Sequence, residues 1–141
     1  MTTSVDAGAE APVAMRPTSI LIVDDEASVR RTILRTLRPY GYQVTTAESA
    51  EEALDLLAAS ASAFDLLISD VIMNGLSGIA FSDRLRRLGC RTPIILITGY
   101  PGTHLTESIF AIERLLLLAK PFTPSQLRAE VVAALALADN E

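Results

Sequence analysis

The sequence predicts one α/β domain in which five parallel strands, in the order 2-1-3-4-5, carry helices on both faces of the sheet. Three observations predict it. From Ser19 onward, short apolar runs alternate with stretches of helical period, five of each. The runs SILIV, FDLLIS and PIILIT are almost continuously apolar, as strands buried on both sides require. The chain has 141 residues, 50% hydrophobic and 21% charged, which supports one packed core and leaves no room for a second domain of ordinary size.

Each element has a local reason. Residues 1–18 mix Ala, Thr, Gly, Pro and scattered charge without a period and are expected to form a disordered tail. Ser19–Val23 is a β-branched-rich first strand. Residues 26–38 have helical spacing, with Val29, Ile33 and Leu37 on one side and Arg31, Arg35 and Arg38 on another; Pro39 and Gly41 are expected to stop the helix. Residues 42–46 form a second strand. Ser49 and Glu52 make a capping box that opens a helix through about Ala59. Residues 64–69 are the third strand and 76–88 the third helix, closed by Gly89 just past its end. Residues 93–98 are the fourth strand and 103–112 a fourth helix of weak periodicity. Leu115–Ala119 is expected to be a buried fifth strand. Thr123, Pro124 and Gln126 combine an N-cap, a first-turn proline and an N3 glutamine, starting a last helix with Leu127, Val131 and Leu135 inward. The domain is expected over residues 19–138, with a short tail at 139–141 and no output domain. A flavodoxin-like sheet follows, and right-handed crossovers put the first and last helices on one face and the other three opposite.

Composition excludes several function classes. No apolar run approaches the length of a membrane span, and a lone Arg16 before the first apolar block, without a long apolar region, does not make a secretory signal. A cytoplasmic location is therefore expected. Cys90 is the only cysteine and His104 the only histidine, so neither an internal disulfide nor a multi-histidine metal site is available. A net charge of −5 and a pI near 4.9 argue against nucleic-acid binding by a general basic footprint.

Ligands of such sheets bind beyond the carboxyl ends of the strands, where the strand order reverses. The first strand ends in Asp24, Asp25 and Glu26, the third in Asp70, the fourth in Thr98 and the fifth in Lys120. Carboxylates, a hydroxyl and an ammonium thus converge on one mouth. Crowded carboxylates repel unless a cation sits among them, and oxygen-only ligands suit Mg²⁺. Helix capping accounts for Asp24 to Glu26 taken alone. It does not account for the single lysine of the chain lying opposite Asp70.

These residues carry a resemblance. Asp24 and Asp25 after LIV, Asp70 after LLIS, Thr98 in LITG and Lys120 in KPF, together with the segment DVIMNGLSG including Met73 and Gly78, resemble the receiver domains of two-component response regulators. The similarity runs from Ser19 to about Ala138. It implies that Asp70 accepts a phosphoryl group from a sensor histidine kinase or a histidine phosphotransfer protein. It further implies Mg²⁺ held by Asp25, Asp70 and the backbone carbonyl of Ile72, with Asp24 direct or through water. Thr98 and Lys120 are implied as partners of the phosphoryl oxygens, and the Lys120–Pro121 bond as cis. A downstream protein target is implied on the face formed by the fourth helix, fifth strand and last helix. Asn74 stands where the family usually has proline, so a less rigid loop is expected. Leu117 replaces the usual Tyr or Phe and is expected to be substantially buried. Bulky Ile72 and Tyr100 at the mouth imply slow loss of phosphate.

Other candidates have simpler readings. His104 reads as a solvated loop residue, Cys90 as a small semi-buried one, and residues 99–102 as a turn. Arg84, Arg86, Arg87 and Arg91 read as a solvated helix face, with a partner-binding patch as the alternative. Two other function classes stand beside the phosphorylated switch. One is an interaction module indifferent to phosphorylation, suggested only by Asn74 and Leu117. The other is an aspartyl-phosphate hydrolase, whose DxDxT motif is missing. The sequence leaves open whether the domain acts alone or within a larger protein.

Overall fold

The structure is a computed structural model that describes residues 16–60, 63–99, 109 and 111–139. Five parallel strands form one sheet in the order β2-β1-β3-β4-β5, as expected. They are β1 (Ser19–Val23), β2 (Gln43–Ala47), β3 (Leu66–Asp70), β4 (Ile94–Thr98) and β5 (Leu115–Ala119). The helices are α1 (Ala27–Leu37), α2 (Ala50–Ala59), α3 (Gly78–Arg87) and α4 (Pro124–Asp139). The helix expected over 103–112 lies outside the described residues except at 109, 111 and 112.

Alternate residues of each central strand face opposite ways, which divides the core in two. On one side Ile20, Ile22, Ile68, Ile95 and Ile97 pack with Ile33 and Leu37 of α1 and Leu127 and Val131 of α4. On the other, Leu21, Val23, Leu67 and Leu96 pack with Ala53 and Leu57 of α2, Phe81 and Leu85 of α3, and Ile109. Burying each such aliphatic side chain contributes roughly 1.5–3 kcal/mol. The central strands β1, β3 and β4 are buried along their whole length, so their carboxyl ends are rigid platforms.

The capping signals are realised. Ser49 Oγ accepts from Glu52 N at 3.0 Å, while Glu52 Oε1 accepts from Glu48 N at 2.6 Å, one residue before the cap. Thr123 and Gln126 exchange both bonds, at 2.8 and 3.0 Å. Gly89 follows α3 with φ +88°.

Pro39 and Gly41 stop the first helix as expected: α1 ends at Leu37, a 3-10 turn (Arg38–Tyr40) accommodates the proline, and left-handed Gly41 ends that turn. Two expectations need correction. The third helix begins at Gly78 because Ser77 caps it, its Oγ accepting from Ala80 N at 3.1 Å. β5 is not buried throughout: it ends the sheet order, so only Leu118 is buried while Leu115, Leu116 and Leu117 are partly exposed. Leu117, packed against the α2–α3 core, is largely buried as expected, although not fully enclosed.

Candidate functional site

The parallel register sets the carboxyl ends of the strands side by side. Val23 pairs with Ala47 and Ser69, Asp70 with Ile97, and Thr98 with Ala119. Main-chain bonds extend this order past the strands. Asp24 N donates to Ala47 O at 3.1 Å, Val71 N to Ile97 O at 3.0 Å and Lys120 N to Thr98 O at 2.8 Å. The residues at the mouth are therefore placed by the sheet itself. The Lys120–Pro121 bond is cis, as the resemblance implied.

Asp70 is 5% exposed, and both its oxygens are engaged. Oδ2 accepts from Lys120 Nζ at 2.8 Å, and Oδ1 accepts from Ile72 N at 3.2 Å. Asp24 is 1% exposed. Its Oδ1 accepts from Glu26 N at 2.9 Å, and its main-chain carbonyl accepts from Arg30 at 2.6 Å, but its Oδ2 is buried with no partner. A buried carboxylate oxygen without a partner is costly, so it needs a proton or a cation. Oxygens of Asp24, Glu26 and Asp70 lie within 4.8 Å of one another, a donor set that fits a hard divalent ion such as Mg²⁺.

The electrostatics match this crowding. Burial pushes the Asp24 carboxyl up to about 7 from its usual 3.8; the Glu26 N–H pulls it back, and the nearby Asp70 carboxylate pushes it further up. Burial works against the Lys120 ammonium, yet the hydrogen bond and charge of Asp70, with Asp24 and Glu26 behind it, outweigh this and raise its pKa. Thr98 is 4% exposed at the end of β4, next to this pair.

Two sequence-selected residues are placed differently from the rest. The Asp25 carboxylate stands apart from that cluster, its Oδ2 accepting from Asn74 N at 2.8 Å. Ile72 turns its N–H to Asp70 and leaves its side chain 52% exposed at the mouth. Glu26, absent from the implied ligand set, is in the cluster; the run of three acids after β1 was the signal for it. Gly78 has a role that no motif states. A Cβ there would lie 2.1 Å from the Asp70 carbonyl oxygen, so α3 approaches the end of β3 only because residue 78 has no side chain. Its N–H donates to Val71 O at 2.9 Å. Asn74 and Gly75 turn the same loop, Gly75 with φ +80° against the Glu51 carboxylate. Tyr100 and His104 lie outside the described residues.

Comparison with known proteins gives a consistent result. The family model described as "Response regulator receiver domain" matches residues 20–132. The chain is 35% identical over 116 residues to the uncharacterized transcriptional regulatory protein YkoG of Bacillus subtilis, covering 82% of this chain and 50% of that protein. It is 34% identical over 121 residues to the response regulator MprA of Mycolicibacterium vanbaalenii, covering 84% and 51%. The chain thus spans about half the length of these curated relatives. Among solved structures, the chemotaxis protein CheY4 of Vibrio cholerae superposes with a TM-score of 0.77 at 30% identity, covering 84% of this chain and 99% of that one. The receiver domain of the hybrid histidine kinase CckA superposes at 0.70 with 35% identity, covering 83% and 98%.

Proposed function

We propose, from the premise that this chain belongs to the response regulator receiver domain family, that Asp70 is its phosphoacceptor and that phosphorylation makes it a signalling switch. The family is a phosphoacceptor module of two-component signalling and not a classical enzyme. The observation that carries the assignment is Asp70, buried at the end of β3 with Lys120 on Oδ2 and the unpartnered Asp24 Oδ2 beside it.

A carboxylate oxygen of Asp70 attacks phosphorus in line; the P–O bond forms as the P–N bond to the donor imidazole breaks, and the imidazole leaves with the electron pair. Lys120 transfers its ion pair from Asp70 to a phosphoryl oxygen. Thr98 donates its hydroxyl to another. Asp25, Asp70 and the Ile72 carbonyl would hold Mg²⁺, with Asp24 direct or through water and Glu26 beside them, and the ion would supply positive charge for the phosphoryl oxygens. Gly78 keeps the acceptor strand and the start of α3 in contact, so the carboxylate is held in position.

The donor is a sensor histidine kinase or a histidine phosphotransfer protein, and the location is cytoplasmic. Among the described residues no helix is long and apolar enough to cross a membrane. A protein target on the face of β5, α4 and the segment before β5 would read the switch, with Leu117 largely buried in that face. No direct contact with nucleic acid or membrane is part of this reading.

Incubation with acetyl phosphate and Mg²⁺ tests it. Intact mass should rise by one phosphoryl group in the wild type and stay unchanged in Asp70→Asn. No uptake by the wild type, or equal uptake by the variant, would refute the assignment.

A further inference from the structure

The β1–α1 turn and the loop after Asp70 are tied together by one bond. The main-chain N–H of Asn74 donates to Asp25 Oδ2 at 2.8 Å, across 49 positions of sequence. Asp25 adjoins Asp24 in the chain, yet its carboxylate is not grouped with Asp24, Glu26 and Asp70. It lines instead a shallow acidic recess with Glu48, Glu52 and Asp55, and Asn74 closes one side. The turn that presents the N–H is set by the backbone, because Gly75 next to it is left-handed at φ +80°.

A hydrogen bond to an ionised carboxylate is stronger than one between neutral groups, so a cation that needs this oxygen must compete with it. We propose that Asn74, through its main-chain N–H, is a positioning residue that holds Asp25 back from the divalent-cation site. Cation binding then draws Asp25 inward, breaks this bond and releases the loop that carries Ile72. The inference rests on the cation reading proposed above. It makes residue 74 a determinant of cation affinity although it supplies no ligand.

The donor is a backbone group, which gives an unusual pattern of variants. Asn74→Ala keeps the N–H and should leave Mg²⁺ affinity within about twofold, whereas Asn74→Pro removes it and should tighten Mg²⁺ about tenfold. Affinities are read by calorimetric titration of the full chain with MgCl₂, with circular dichroism as a check on folding. In the wild type, the Asn74 amide followed by NMR should lose its hydrogen-bonded shift and exchange faster, in step with the heat of Mg²⁺ binding. This measurement needs no variant to fold. Unchanged or weaker binding by folded Asn74→Pro, an equal change in Asn74→Ala, or an Asn74 amide unmoved as the site fills would overturn the inference alone. Failure of the wild type to bind Mg²⁺ at all would instead overturn the cation reading, and this inference with it.

Discussion

Asp24→Asn isolates the electrostatic cost built into the mouth of the sheet. Asp24 is almost fully buried, one oxygen lacks a partner, and burial together with Asp70 pushes its carboxyl up to about 7. The folded chain therefore keeps a proton between about pH 4 and pH 7 that the unfolded chain has already released. Stability from this group is full below the unfolded value near 3.8, is lost as pH rises through about 7, and is flat above it. At about 1.4 kcal/mol for each pH decade between 3.8 and 7, the ceiling is roughly 4 kcal/mol. Relaxation of neighbours and water entry at the mouth reduce this, leaving about 1–3 kcal/mol at pH 8. Asparagine has nearly the same shape, can still accept from Glu26 N, and turns the unpartnered oxygen into an N–H donor facing Asp70. Without divalent cations, urea unfolding should show Asp24→Asn more stable than wild type by that amount at pH 8 and nearly equal to it at pH 4. Millimolar Mg²⁺ at pH 8 should shrink the difference, because the wild type gains binding energy that the variant loses in part. A variant no more stable at pH 8, or one stabilised equally at both pH values, would show that the crowded carboxylates are not under strain.

The other expectations follow from single contacts. Gly78→Ala places a methyl group against the Asp70 carbonyl, so α3 must back away; a loss of about 1–3 kcal/mol in urea unfolding and slower phosphorylation by acetyl phosphate are expected. Normal stability and rate would show that the contact yields freely. Lys120→Ala leaves Asp70 buried beside two carboxylates without its 2.8 Å partner, which should cost about 1–3 kcal/mol at pH 7 and less at pH 4, where protonation relieves the crowding. Equal loss at both pH values would mean that packing of the lysine stem is what matters. Ile72 is half exposed at the mouth and offers no group to orient a water, so the phosphorylated protein should decay slowly, and Ile72→Glu should change its half-life measured by intact mass. Loss of wild-type phosphate within seconds would contradict this.

What the sequence determined by itself is the frame. Apolar period, capping pairs such as Thr123 and Gln126, and the left-handed glycine after α3 act over a few residues, so the strands, the capped starts of the second and last helices and the strand-end positions of Asp24, Asp70, Thr98 and Lys120 were legible in order. Parallel pairing with right-handed crossovers then left little freedom in the topology, and it brought Lys120 to Asp70 across 50 positions. Only the tertiary structure decided which side of the mouth each acid faces. Asp24 and Glu26 turn toward Asp70, while Asp25 between them turns to Asn74. It also decided that Gly78 must lack a side chain, that Pro39 sits inside a turn, and that β5 is half-buried at the end of the sheet. The physical reason is the same in each case. These outcomes depend on distances between loops that are far apart in the chain, where there is no repeating period to read and the direction of each side chain is settled by its contacts.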